Sequence, residues 1–233
     1  MDAQPAFVLH TYPYLETSLI VEAYARDQGR IALVARGARR PKSSLRGVLL
    51  PFQPLLVAWT GKKDLRTLTR AEWRGAYAPL KGRPLICGFY LNELLLKLLA
   101  RDDPHEELFA VYERTLDALA AGAEPSALLR CFEIALLREL GYAMILDRDV
   151  ERDEPVARER SYVYVVERGP MAVSAARSGV ELSGQTLIDM QSGSFSSVAT
   201  QQESRTLMRA LISHYLGNQV LHTRQLLRDL QDL

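Results

Sequence analysis

The hydrophobic pattern changes period near residue 83, and that change sets the class of fold. Before it, apolar residues come in short runs divided by turn residues: AFVLHTY at 6–12, TSLIVEAYAR at 17–26, IALVA at 31–35, FQPLLVAWT at 52–60 and LRTLTRAEW at 65–73. Runs of this length, bounded by Gly, Pro, Asp and Ser, read as strands. After it, Pro84 opens PLICGFYLNELLLKLLARD, where only Asn92, Glu93 and Lys97 interrupt the apolar surface. A helix apolar nearly all round is a core helix. The chain is α+β, with strands first and helices second.

Five short strands over about 75 residues, irregularly connected, suit a small Greek-key barrel of the OB type. Pattern alone leaves an SH3-like barrel open. Pro54 belongs at an edge or bulge. The helical part has punctuation of its own. Asp103 reads as an N-cap, Pro104 as the first helical residue and Glu106 as the capping-box acid, for a helix running to about Ala121 and ended by Gly122. Pro125 opens a third helix that Gly141 stops, and three helices with short connections make a bundle. Asp147–Arg160, DRDVERDEPVARER, reads as a solvated linker, and 161–166 with 171–175 as a hairpin. Thr186–Gln191 reads as a helical turn. Thr200 reads as the cap of the last long helix with Glu203 as its partner, and Thr223–Leu230 as a final short helix. The expected organisation is an OB-fold domain at 1–80, whose ligand the charge pattern suggests, and a helical bundle at 83–142. A charged linker and hairpin region follows at 143–199, then C-terminal helices at 200–233 that pack on the helical domain, the whole ending as a small α/β extension.

Charge is uneven. Residues 1–82 hold 13 Lys and Arg against 6 Asp and Glu, net +7, whereas 83–233 hold 16 against 22, net −6. Within the first part, Val34–Pro51 carries Arg36, Arg39, Arg40, Lys42 and Arg46 and no acid, broken by Gly37, Pro41, Ser43, Ser44 and Gly47. An irregular basic loop on a small sheet suits a phosphate backbone, and a solvated loop that aids solubility is the competing reading. Lys62 and Lys63 extend the charge in a turn, and Arg66 and Arg70, evenly spaced on one strand, are expected on one face. Tyr12, Tyr14, Tyr24 and Trp59 are available for base stacking or for the core.

Catalytic and metal chemistry find little purchase. His10, His105, His214 and His222 form no HxxxH or HExxH pair, and no GxSxG, Walker loop or GxGxxG occurs. Two cysteines cannot make a four-thiolate site. Cys87 and Cys131 lie in apolar helical patterns and read as buried free thiols, which points to the cytoplasm. No run of 18 apolar residues suggests a membrane span, and MDAQPAFVLH lacks the form of a secretory signal. The expectation is a binding protein, not an enzyme, with no cofactor or metal.

Several motifs together resemble those of the RecO family of bacterial recombination mediators. They are Ala6-Phe7-Val8-Leu9 followed by Glu16-Thr17-Ser18, Gly29-Arg30 through Val34-Ala35-Arg36-Gly37-Ala38-Arg39, Leu45-Arg46-Gly47, Leu50-Pro51-Phe52 and Pro54-Leu55-Leu56. In the helical part Tyr90-Leu91-Asn92-Glu93-Leu94, Phe132-Glu133-Ile134-Ala135-Leu136-Leu137 and Leu140-Gly141-Tyr142 also fit. The likeness is dense over about 1–142 and diffuse beyond. It implies an N-terminal OB fold, a helical domain and a small C-terminal region. It also implies binding of single- and double-stranded DNA without sequence specificity, annealing of complementary strands, and a nucleoid-associated location. With RecR, and RecF in some members, such proteins help load RecA onto strands coated by single-stranded-DNA-binding protein (SSB). Many relatives carry a four-cysteine zinc site after the segment matching Leu140-Gly141-Tyr142; Asp147–Arg160 stands there without cysteine, so zinc is expected to be absent.

The expected DNA surface is Arg36, Arg39, Arg40, Lys42, Arg46, Lys62, Lys63, Arg66 and Arg70. For the SSB tail, acidic and ending in an apolar residue, the candidates are Lys97, Arg101 and Arg130 beside Leu94, Leu98 and Phe132. Rival classes are an RNA-binding OB protein, a scaffold that binds only proteins, and a nuclease, which would need clustered acids and a divalent ion.

Overall fold

The computed structural model describes residues 3–62, 64–75, 77–174 and 178–229. Contacts divide the chain into two units, Met1–Ala123 with Leu221–Leu233, and Glu124–Val220. These are not the boundaries expected at 80, 142 and 199: the helix that Pro125 opens lies in the second unit, apart from the two before it.

The first unit is built on a closed barrel of β1 (Gln4–Tyr14), β2 (Ser18–Ala25), β3 (Gly29–Ala35), β4 (Leu55–Thr60) and β5 (Leu65–Trp73), in the order β1-β2-β3-β5-β4. Neighbours are antiparallel except β3 and β5, where Ala32 faces Leu65 and Val34 faces Thr67 in parallel. The alternation in the sequence fills the interior: Val8, Val21, Ala23, Ile31, Leu33, Leu55, Val57, Trp59 and Leu68 are all buried. Pro54 stands just before β4, outside the ladder, and its carbonyl accepts from Arg74 N at 2.8 Å. One expectation fails here. The β4–β5 register slips between Ala58 and Trp59, which face Arg70 and Leu68. That bulge inserts Thr69 and reverses the side-chain parity. Arg66 is therefore buried along with Leu68 while Arg70 is exposed, and the two do not share a face.

Helices α2 (Gly82–Leu98) and α3 (Glu106–Ala120) follow the barrel; the four-residue α1 (Leu45–Val48) interrupts the β3–β4 connection. Phe7 and Tyr24, on the outer face of β1 and β2, pack against Phe109 and Tyr112 of α3, with ring centroids 5.2–6.0 Å apart. Asn92 interrupts the apolar surface of α2 for a reason. Its amide donates to Leu9 O at 2.9 Å and accepts from the Tyr112 hydroxyl at 2.6 Å, joining α2 to barrel and α3 with the polar group satisfied. The expected cap at Asp103 does not form: α3 begins at Glu106, its N-cap is His105, and no side chain caps it. The barrel holds the preceding residues instead. Asp102 N donates to Arg30 O at 3.0 Å, and Tyr24 Oη donates to His105 O at 3.1 Å. Gly29 has φ +72°, and a Cβ there would meet Asp103 O at 2.0 Å, so only glycine permits the approach.

The last helix, α7 (His222–Asp229), packs on α2. The Glu93 carboxylate of α2 accepts from His222 N, Thr223 N and Thr223 Oγ1 at 2.6–2.9 Å, and so caps the start of α7. The expected end of that helix, Leu230, lies outside the described residues.

The second unit holds α4 (Pro125–Glu139), α5 (Gly184–Ser192) and α6 (Val198–Leu216). They accompany a three-stranded sheet of β8 (Ser161–Val165), β9 (Gly169–Ala172) and β10 (Val180–Ser183). Pro125 opens α4 as expected, and α4 packs on α6. Leu137, Tyr162, Leu187, Met190, Leu207 and Leu211 form its core. Asp147–Arg160 is not a free tether. It contains the paired strands β6 (Arg148–Asp149) and β7 (Glu154–Pro155), and buried Asp149 accepts from the amides of Glu151, Arg152 and Ala172. The end of the expected second hairpin strand, Ala175, lies outside the described residues. Ser197, not Thr200, caps α6, and Glu203 reaches back to Ser183 N at 2.8 Å, where α5 starts. Cys87 is buried as expected, Cys131 is exposed against expectation, and neither is in a disulfide.

The α7 clasp has a pH signature. Burial alone would raise the Glu93 carboxyl, but the bonds from Thr223, His222 and Lys97 outweigh it and hold the group below its usual range. A carboxyl held low gives stability that is complete above its unfolded pKa, about 4.3, and that is lost as pH falls through the lower folded value. Hydrogen exchange followed through that acid window should show α7 losing amide protection before the barrel does. Glu93→Ala should produce the same loss at neutral pH. Unaltered protection of α7 in that variant would rule out the clasp.

Candidate nucleic-acid interface

The cations of the barrel sort into two groups by what they touch. On the strands and at the α2–α3 junction they are neutralised: Arg26 pairs with Asp27, Arg66 with Asp102, Arg70 with Glu72, Arg74 with Glu113 and Arg101 with Glu22. Arg30 donates to Leu96 O at 2.6 Å. On the β3–β4 connection, Arg36, Arg39, Arg40, Lys42 and Arg46 are all exposed, and no carboxylate among the described residues reaches any of them. Lys62 in the β4–β5 turn is likewise exposed; Lys63 lies outside the described residues. Phosphate must displace the carboxylate of a paired cation, at small cost where the pair is exposed, as at Arg26 and Arg70, and at larger cost where it is buried, as at Arg66. An unpaired cation meets phosphate and displaces DNA counterions without that competition.

The connection is ordered by its own backbone. Gly37, at φ +69°, turns the chain after β3, and Arg40 N donates to Gly37 O and Ser43 N to Arg40 O, both at 3.0 Å. Arg39 N donates to Thr17 O at 2.8 Å and its guanidinium to Leu15 O at 3.4 Å. The start of the connection therefore sits on the tip of the β1–β2 hairpin. Lys62 is elsewhere. The parallel register puts Leu65 opposite Ala32, so the β4–β5 turn lies toward the start of β3 while Arg36 follows its end. At about 3.3 Å per residue the two basic groups are some 20 Å apart along the strands.

Between those ends runs an outward row that sequence reading identified only in part. Tyr12 faces Ile20, Ile20 faces Val34 and Val34 faces Thr67 across four strands. Tyr12 is 45% exposed and the other three are partly exposed. Its ring contacts His10 edge-on at 4.4 Å. Tyr12 was a visible stacking candidate; Ile20 and Val34 became legible only once the register lined them up with it. Tyr24 and Trp59 are buried and unavailable. An apolar row bordered by free cations can hold a strand by stacking and charge without reading its sequence.

The expected tail-binding residues are divided between the two units, Leu94, Lys97, Leu98 and Arg101 in the first and Arg130 and Phe132 in the second. Leu94 and Phe132 are fully buried in their own units, Arg130 is buried against Glu133 at 2.6 Å, Lys97 pairs with Glu93 at 3.1 Å, and Arg101 is held by Glu22. Leu98 is partly exposed. Among the described residues no group of three or more His, Cys, Asp or Glu is placed to hold a metal, and no helix is long and apolar enough to cross a membrane.

Comparison with known proteins bears on the whole chain. The family model described as Recombination protein O N terminal matches residues 1–77, and that described as Recombination protein O C terminal matches residues 81–227. A protein of Nitrosospira multiformis named DNA repair protein RecO is 56% identical over 234 residues, covering 100% of this chain and 97% of its own. Proteins of the same name from Aromatoleum aromaticum and Paraburkholderia xenovorans are 52% and 53% identical. They cover 100% and 99% of this chain and 98% and 77% of their own.

The division of the cations predicts separable effects. Arg66→Ala removes the ion-pair partner of Asp102 and leaves that carboxylate only the Gln28 amide at the barrel–helix junction. It should cost about 2 kcal/mol of stability in a denaturant melt while leaving the salt dependence of DNA binding as it was. A flattened salt dependence in this variant would place Arg66 on the interface after all.

Proposed function

The chain belongs to the RecO family of DNA repair proteins, and from that premise we propose that it is a recombination mediator that binds single- and double-stranded DNA through its backbone and anneals complementary strands. The observation that carries this reading is the set of unpaired cations, Arg36, Arg39, Arg40, Lys42 and Arg46, on one connection beside the exposed Tyr12 row. Annealing needs no covalent step. It needs two like-charged strands brought together with their bases free to pair. Exposed cations that screen phosphate without engaging base edges supply that. Lys62 extends the surface at the far end of the strands; Lys63, outside the described residues, is included in the proposed DNA contacts from the sequence alone. Arg66 and Arg70, each committed to a carboxylate, contribute least.

In the same reading the protein acts with RecR, and with RecF where it is used, to load RecA onto SSB-coated single strands. Contact with the acidic SSB tail falls to Lys97 and Arg101 beside Leu98. Leu94 and Phe132 are fully covered and Arg130 is committed to Glu133. An acidic tail could exchange with the carboxylate partners of Lys97 and Arg101, which is a competition salt would also weaken.

Reversing Arg36, Arg39 and Arg40 to glutamate together should weaken DNA binding and flatten its salt dependence. At about 0.7 per phosphate contact on single strands, the log–log slope should fall by about 2. Annealing of complementary strands coated with SSB should slow in parallel. Unchanged affinity, slope and annealing would show that the connection does not meet DNA.

A further inference from the structure

The first unit has a second feature that the cationic reading does not use. Where the β3–β4 connection ends, Leu50, Pro51, Phe52 and Gln53 face Trp73 and Tyr77 across an open groove of about 310 Å³, with Leu80 and Leu85 completing it. Trp73 is 51% exposed and Leu50 44%, and together they leave contiguous apolar surface in water at the rim of the groove.

The groove is preformed. Trp73 Nε1 donates to Val48 O of α1 at 3.2 Å, and the Gln53 amide is used twice by Tyr77, donating to its carbonyl at 3.2 Å and accepting from its N–H at 3.1 Å. The floor is held in a backbone conformation that phenylalanine disfavours: Phe52 has φ +66°. Gly88 of α2 makes room for it, since a Cβ there would meet the Phe52 ring at 3.0 Å and Leu80 at 2.9 Å. The surrounding packing sustains that conformation and keeps the groove open.

What fits is set by what the groove offers. The indole N–H and the Gln53 amide are already bonded, so apolar and aromatic surface remains, with no free directional group from either residue to read an edge. Residues 41–62 contain no acid, and the exposed cations Arg46 and Lys81 stand next to the groove segments in the chain, with no ion-pair partner among the described residues. The occupant should therefore carry a flat apolar group on a negatively charged chain. Resting on the DNA-binding reading above, we propose that this groove receives an unpaired base of a single strand whose phosphates lie on the connection from Arg40 to Arg46. Every base has a face to stack, so the groove is blind to sequence. A duplex keeps its bases stacked inside and cannot enter. The groove thus distinguishes single strands from duplex, and a base must leave it before pairing, which favours release of the annealed product.

Trp73 supplies the readout, because the other tryptophan, Trp59, is 1% exposed. Three probes of equal length are compared: oligo-dT, an abasic sugar-phosphate oligomer, and a duplex. Binding is followed by anisotropy and stacking by tryptophan emission. Oligo-dT should quench Trp73 and bind about tenfold more tightly than the abasic oligomer; the abasic oligomer and the duplex should bind with little quenching. Trp73→Ala should bring the oligo-dT to abasic ratio close to one with the salt slope unchanged, and Trp73→Phe should keep the ratio. Emission from Trp59 in both variants reports that the barrel is intact. If oligo-dT binds with unchanged emission, or Trp73→Ala keeps the preference, the proposal is overturned while the cationic reading stands, and the groove is left to a protein segment. Failure of the wild-type protein to bind any probe would remove both.

Discussion

Parallel pairing of β3 with β5 is the constraint on which the rest of the barrel depends. Two neighbours running the same way cannot be joined by a hairpin. The chain must leave β3, cross the end of the barrel and return as β4 before it can lay down β5. That crossing is residues 36–54, and it carries Arg36, Arg39, Arg40, Lys42 and Arg46 away from the barrel's carboxylates. The same closure brings Arg66 and Arg101 within reach of Asp102 and Glu22. One topological requirement thus divides the cations into those that hold the fold and those left free.

Three joints of the molecule are polar and hydrogen-bonded. Asn92 ties α2 to β1 and α3, Glu93 caps α7, and Asp149 gathers three backbone amides where a hairpin of charged residues folds back. A buried polar group costs stability unless it is bonded and, once bonded, specifies one arrangement. Asp149 is informative because its segment reads as a solvated linker: a buried carboxylate and short strands organise it instead.

Strands, helices and the OB-type barrel were legible in local pattern, because alternation and the Pro84 switch of period are properties of neighbouring residues. The errors came from residues whose roles are set at a distance. Arg66 and Arg70 are evenly spaced, yet a bulge at Thr69, imposed by pairing with β4, puts them on different faces. Asp103 has the local form of a cap, but the barrel pulls residues 101–105 onto β3 and delays the helix to Glu106. Asp147–Arg160 is polar enough to read as solvated, and only the contact from Ala172 shows Asp149 to be internal. In the candidate interface the unpaired cations were visible from composition, whereas their separation from the paired ones and the alignment of Tyr12 with Ile20 and Val34 required the register.

The central claim is that pairing state, not mere presence, decides which cations meet DNA. Side-chain Nε–Hε resonances of arginine report it directly when single-stranded DNA is titrated into the isotope-labelled protein. Signals of Arg36, Arg39, Arg40 and Arg46 should move and saturate together, while those of Arg30, Arg66, Arg70 and Arg101 stay in place. Movement concentrated in the second set, or spread equally over both, would contradict the account.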